Sequence, residues 1–167
     1  MRASPAAGSG KTNAVRMLEG MGVAFDLAAY DPGDGHVDAA EVARTLGVPP
    51  EELFKTLVAR DDEGGIRVYC VPAAADLDLK KAARASRVKR IDLVPLKDLQ
   101  PLTGYVRGGV TVFGCKKDYP VVVDELIELF DQVSVSAGVR GTQILIAPSD
   151  YLRASRAKVA PIARDQR

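Results

Sequence analysis

Apolar positions along this chain come in short blocks whose period changes, helical spacing giving way to alternation and back again. Val15, Leu18 and Met21 recur at helical spacing behind Thr12 and Asn13, either of which can cap a helix, and Gly20 and Gly22 end the segment. Residues 23–30 read as a strand. Asp38 and Glu41 stand as in a capping box, opening a short helix to Leu46 that Gly47 and the pair Pro49-Pro50 stop. The run Leu53-Phe54-Lys55-Thr56-Leu57-Val58 predicts a strand, residues 61–65 a hairpin turn, and residues 66–71 the antiparallel return. Further helices are expected over 78–85, after Pro95, over 124–130 and over 149–154. Short strands are expected over 88–92, 121–123, 133–136 and 143–147. Hairpins interleaved with helices predict one α/β domain of the α+β type on a mixed, mostly antiparallel sheet.

Lys55 breaks the apolar run from inside. Side chains alternate between the faces of a strand, so Lys55 shares a face with Leu53 and Leu57, and Thr56 shares the other with Phe54 and Val58. An ammonium desolvated between two leucines must find an anion or a polarised carbonyl, or lose its proton. The same placement suits a lysine whose stem covers apolar surface while its amine reaches water.

Composition and charge narrow the picture. A chain of 167 residues, 47% of them apolar, can bury a core within one domain. Its formal net charge of +1 is unevenly distributed. Ten acids fall between Asp26 and Glu63 against Arg44, Lys55 and Arg60. Lys80, Lys81, Arg84, Arg87, Lys89 and Arg90 follow one another with no acid between them, and such a cluster can hold phosphates or simply form a solvated helix face. Two cysteines, Cys70 and Cys115, and an N-terminus with no apolar signal core point to a reducing, cytoplasmic setting. No apolar stretch is long enough to span a membrane.

Several motifs lead away from familiar chemistries. Residues 5–12 imitate the end of a phosphate-binding loop, but Pro5 occupies its first glycine position and no strand precedes it, so residues 1–11 read as a flexible leader. His36, the only histidine, lies in an acidic, glycine-bearing loop and is expected to face solvent; with two distant cysteines it makes no zinc site, and no metal or cofactor is expected. Cys115 precedes Lys116 and Lys117, which would favour its thiolate, yet with no base beside it an ordinary loop cysteine is the better reading. Gly108-Gly109 permits close backbone approach, so that amides there can point at a carbonyl or phosphate, or simply mark a tight turn.

The segments TNAVRMLE, VAFDLAAYD, LFKTLV, DLDLKKAAR, TGYVRGG, GCKKDYPVVVD and VSAGVRG, in that order, give the chain a resemblance to the YbaK/EbsC aminoacyl-tRNA deacylases, relatives of the editing domain inserted in bacterial prolyl-tRNA synthetases. The resemblance covers residues 12–164 and implies a curved sheet of about seven strands flanked by helices, with a pocket over the sheet. By it, the family's essential lysine matches Lys55, followed by Thr56; its glycine loop matches Gly108 and Gly109; its pocket tyrosine matches Tyr30; and its turn serine matches Ser136. Val112 stands where the family loop usually has proline, Ala137-Gly138 where two glycines are usual, and Gln143 where an acid often occurs.

A trans-editing deacylase of misacylated tRNA is what the resemblance implies, cysteinyl-tRNA(Pro) first and cysteinyl-tRNA(Cys) beside it. Alanyl-tRNA(Pro) cleaved by water, or binding of aminoacyl-tRNA without catalysis, are the other readings. On this view Lys55 holds the carbonyl oxygen or terminal phosphate, and the Gly108 and Gly109 amides help hold the oxyanion. Tyr30, Thr56 and Ser136 orient the aminoacyl group. Lys80, Lys81 and Arg84 contact the tRNA, and prolyl-tRNA synthetase is a candidate partner that presents it.

Overall fold

The first three helices of this fold begin where a short oxygen-bearing side chain reaches a free amide. The computed structural model describes residues 11–165. Thr12 Oγ1 accepts the Val15 N–H at 3.1 Å and opens α1 (Asn13–Gly20). Asp38 accepts the Glu41 N–H and opens α2 (Ala39–Leu46), which the left-handed Gly47 closes. Asp78 accepts the amides of Lys80 and Lys81 and opens α3 (Leu79–Ser86). α4 (Leu99–Thr103) follows a 3-10 turn after Pro95, and α5 (Pro148–Ser155) starts on a proline.

Among the described residues eight strands make two sheets. β1 (Asp26–Ala29), β6 (Val133–Ser136) and β7 (Thr142–Ile146) form one, in the order β1-β7-β6. β2 (Phe54–Asp61), β3 (Ile66–Pro72), β4 (Ile91–Leu93), β5 (Val121–Asp124) and β8 (Lys158–Ala160) form the other, in the order β4-β2-β3-β5-β8. Only β3–β5 and β5–β8 are parallel, so the sheets are mixed and mostly antiparallel, as the sequence predicts. The sheets meet at one parallel bridge, Leu53 to Ser134, where the Ser134 N–H donates to the Glu52 carbonyl at 2.9 Å. That joint divides the strands between two sheets, and the count is eight rather than about seven because β8 is added to the expected set.

Two differences trace to Asp124. Its buried carboxylate accepts the Leu126 N–H through Oδ2, opening a 3-10 helix (Glu125–Leu129) where an α-helix over 124–130 is expected. Its Oδ1 accepts the amides of Ile162 and Ala163, which draws the C-terminal segment alongside β5 and creates β8. Nothing local in three residues marks β8 as a strand.

The larger core packs Leu18 of α1 and Tyr151 of α5 against Phe54, Phe113, Val135 and Ile144. A second core lies between α3 and the five-stranded sheet, around Ala59, Tyr69, Val71, Ala82 and Ile91. The β2–β3 register that aligns both faces is closed by Asp61, whose carboxylate accepts the Glu63 and Gly65 amides and Arg67 Nε at 2.9, 2.8 and 3.0 Å. The Gly65 amide, then the Arg67 hydrogen bond, holds the Asp61 carboxyl below the usual range. A carboxyl with a depressed folded pKa contributes stability that is present above its unfolded value, about pH 4, and lost as pH falls through the folded value. Asp61→Asn is therefore expected to lower the urea midpoint at pH 7 and to lower it less at pH 3. An equal loss at both pH values would show that the carboxylate's charge is not what closes the hairpin.

Candidate active site

A cleft opens where β2 lacks a neighbour. Along its outer edge β4 pairs only with Ala59–Asp61, and the other sheet is bridged only at Leu53. The stretch 54–58 between these anchors borders a cavity of about 470 Å³. Tyr30, Lys55, Thr56, Gly108 and Ser136, five residues predicted from the sequence, all line it.

Lys55 departs from its expected surroundings. Leu53 packs with Val42 and Ala43 and Leu57 joins the core under α3; both line the cavity with Lys55, but they do not close its ammonium off from solvent. The side chain is 28% exposed, and Nζ lies 3.9 Å from the carboxylate of the exposed Asp76. A charge at a cleft wall with a loose, solvated counter-ion is free to engage an incoming oxygen anion.

Beneath the cleft Thr56 sits opposite Cys70, with Oγ1 3.7 Å from Sγ. Tyr151, fully buried, donates its hydroxyl to Cys70 Sγ at 2.9 Å. Burial raises the Cys70 thiol to about 11, so Cys70 stays protonated and supports Thr56 from below.

The glycine loop divides. Gly108, with φ +89, lines the cavity. Gly109 is buried and does not line it: its N–H donates to the Val106 carbonyl at 2.8 Å, and a β-carbon there would come within 3.1 to 3.2 Å of the Val139 backbone. An oxyanion role for the Gly109 amide is thus ruled out by a turn that already uses it. Val112 packs into the larger core away from the cavity, and the Tyr105 hydroxyl donates to the Phe113 carbonyl at 2.7 Å, so the loop is anchored without its usual proline. In the neighbouring turn Gly138 and Gly141 have left-handed backbones, with φ +94 and +97, while Ala137 is buried and donates its N–H to the Thr142 carbonyl. Ser136 Oγ accepts the Gly138 N–H.

Four further lining residues bear on the chemistry of the cleft. Gln143 is 5% exposed, and its Oε1 accepts the Ser134 hydroxyl at 2.9 Å. His36 is exposed, as expected, but at the cleft. Arg107 brings an exposed cation beside Gly108, and Leu96, 59% exposed, supplies apolar surface. The signal available for Arg107 was its place beside the glycine pair. His36 comes in because Arg140 donates to the carbonyls of Pro32 and Gly35, fastening the acidic loop near Gly108.

A family model described as "Aminoacyl-tRNA editing domain" matches residues 35–154, which hold every one of these lining residues except Tyr30. The chain belongs to that family. A relative in Enterococcus faecalis, EbsC, proposed to be a Cys-tRNA(Pro)/Cys-tRNA(Cys) deacylase, is 39% identical over 152 residues, covering 91% of this chain and 93% of its own. An Escherichia coli relative named as a multifunctional Ser/Thr-tRNA deacylase is 25% identical over 127 residues, 74% of this chain and 76% of its own. In fold, the editing-domain chain is similar to a solved structure described as a candidate trans-editing enzyme for prolyl-tRNA synthetase, with TM-score 0.76 and 23% identity over 84% of this chain and 87% of that one.

Other predicted features of the editing-domain chain fall outside the cleft. Lys80 and Arg84 are exposed on α3, but Lys81 Nζ is tied to Asp165 at 2.7 Å and to the Ala163 carbonyl at 3.2 Å, which keeps it from acting as a free phosphate ligand. Cys115 Sγ donates to the Thr111 carbonyl, and burial lifts its thiol to about 11, the opposite of the shift its lysine neighbours suggest. Lys11 pairs with Glu19 at 2.9 Å, while residues 1–10 of the leader and of the imitation phosphate loop lie outside the described residues. Among the described residues no group of three or more His, Cys, Asp and Glu could hold a metal, and no helix is long and apolar enough to cross a membrane.

Arg140→Ala is expected to free the 31–38 loop from the Gly108 turn, so amide hydrogen exchange there should accelerate while β2 and β3 stay protected. Unchanged exchange in the loop would show that Arg140 does not fasten it.

Proposed function

We propose that this chain is a trans-acting deacylase that cleaves the ester of misacylated tRNA, with cysteinyl-tRNA(Pro) its first substrate and cysteinyl-tRNA(Cys) a second. The observation that carries this reading is the convergence of Lys55, Thr56, Tyr30, Gly108 and Ser136 on one cavity, in a chain 39% identical to the Enterococcus faecalis relative.

The ester joins the aminoacyl carbonyl to the terminal ribose. Attack on its carbonyl carbon moves the π pair onto oxygen; collapse returns that pair and expels the ribose oxygen, which takes up the nucleophile's proton. Lys55 places a fixed positive charge where the oxygen turns anionic, or where the terminal phosphate lies. The protein's own thiols are poor nucleophiles at neutral pH, because burial holds both near 11. A cysteinyl substrate carries its own nucleophile: its thiol closes on the carbonyl and leaves as a cyclic thiolactone. Tyr30, Thr56 and Ser136 orient the amino and sulfhydryl groups for that closure.

Water attack on alanyl-tRNA(Pro) is the second reading, favoured by the Escherichia coli relative, whose named substrates carry no thiol. Catalysis is favoured over binding alone because Val112, the departure that most threatened the pocket, is packed in the core. Binding of tRNA falls to exposed cations: Lys80 and Arg84 on α3 and Arg107 at the cleft, with prolyl-tRNA synthetase as a partner that presents the substrate.

Lys55→Ala should reduce single-turnover cleavage of cysteinyl-tRNA(Pro) by on the order of a hundredfold or more, with the thermal midpoint retained. Full activity in a folded variant would overturn the role of Lys55. Seryl-tRNA(Pro) offered in place of cysteinyl-tRNA(Pro) should resist cleavage if the substrate thiol attacks, and rapid cleavage would establish the water route. Lys80→Gln with Arg84→Gln should weaken tRNA binding and flatten its salt dependence; unchanged affinity would place the tRNA elsewhere.

A further inference from the structure

Successive residues of a strand direct their N–H and C=O groups to opposite edges, and hydrogen bonds at both ends of β2 fix which residue faces which way. The Leu53 carbonyl accepts the Ala73 N–H at 2.7 Å, and the Asp61 N–H donates to the Gly65 carbonyl at 2.8 Å, so odd-numbered residues face β3. The Glu52 carbonyl accepts the Ser134 N–H at 2.9 Å, and the Val58 carbonyl accepts the Val94 N–H at 3.0 Å, so even-numbered residues face the other edge.

Thr56 lies midway between these even-numbered anchors. Its N–H and C=O both point to an edge where β4 begins to pair only at Ala59 and the bridge from the other sheet ends at Leu53. Thr56 is half-buried at the cavity wall, while Phe54 and Val58 on either side are buried. Backbone groups within a sheet are nearly always paired, so an open donor and acceptor on one residue, side by side in a cavity, form a ready-made recognition edge.

We propose that the Thr56 main chain is the substrate-reading element of the cleft, its N–H donating to the ester carbonyl oxygen and its C=O accepting from the substrate's α-ammonium. The aminoacyl group thereby completes a one-residue antiparallel pair, in which two residues facing each other exchange both hydrogen bonds. As the carbonyl carbon is attacked, the π pair that moves onto oxygen is met by the Thr56 N–H, which fills the place that Gly109 cannot, its own amide being held by Val106. Such an edge reads the part common to all amino acids. Selection among side chains is left to Tyr30, Ser136 and Gln143 on the cavity wall.

This inference rests on the deacylase reading, and the experiment separates the two. Replacing Thr56 by its α-hydroxy analogue, through nonsense suppression, exchanges the N–H for an oxygen and keeps the side chain. Single-turnover cleavage of cysteinyl-tRNA(Pro) should fall on the order of a hundredfold. The same exchange at Arg60, which pairs with Asp92 of β4, reports the cost of an ester linkage in β2 and should keep the rate. A Thr56 ester variant as fast as the Arg60 one overturns the proposal, whereas a wild-type protein that cleaves no aminoacyl-tRNA overturns the deacylase reading itself. Should the variant not fold, hydrogen exchange on the wild type decides. The Thr56 amide should exchange fast beside protected Lys55 and Leu57 amides, and slow when a non-hydrolysable, amide-linked cysteinyl-adenosine is added. A Thr56 amide protected in the free protein, or unaffected by the analogue, overturns the proposal.

Discussion

β2 is paired along one edge for its whole length and along the other only at its ends, and the candidate site follows from that constraint. A strand so held keeps its register through β3 and its position through two anchors, yet leaves several residues of backbone uncovered. Closing the gap would remove the cavity, and opening either anchor would free Lys55 and Thr56 from their places. The Asp61 turn and the Leu53–Ser134 bridge are therefore as much part of the site as the side chains that line it.

Much of this was legible in the sequence because the signals were local. Asp38 and Asp78 cap helices within three residues of themselves, and the turn at Asp61 joins two runs of strand-forming residues. The order of segments pointed to Tyr30, Lys55, Thr56, Gly108 and Ser136, and all five line one cavity. What escaped depends on distant partners. β8 exists because the Asp124 carboxylate holds Ile162 and Ala163, and Lys81 is occupied because Asp165 returns to α3 from the far end of the chain. The Gly109 amide looked free as a member of a glycine pair, but a turn to Val106 claims it. Lys55 looked enclosed between two leucines, but its ammonium reaches solvent and Asp76, which neighbours in sequence do not disclose.

The chemistry we propose for the site is one of placement rather than of a strong protein nucleophile. Cys70 is buried and Cys115 half-buried, both with raised thiols; Tyr151 and Cys70 brace Thr56 from the core, and the charged groups at the cleft are partly solvated. An ester already activated by its ribose suits such a site, since holding the carbonyl beside a fixed positive charge supplies what the reaction lacks. Gln143, neutral and buried, forms part of the wall of the cavity.

The most direct test of this account is an NMR titration of the backbone-assigned protein with amide-linked cysteinyl-adenosine. Shifts concentrated on Tyr30, Lys55, Thr56, Gly108, Ser136 and Gln143, and weakened in Lys55→Ala, are the predicted result. Shifts confined to the separate groove beside Asp26 and Gln132, or none at saturating analogue, would contradict it.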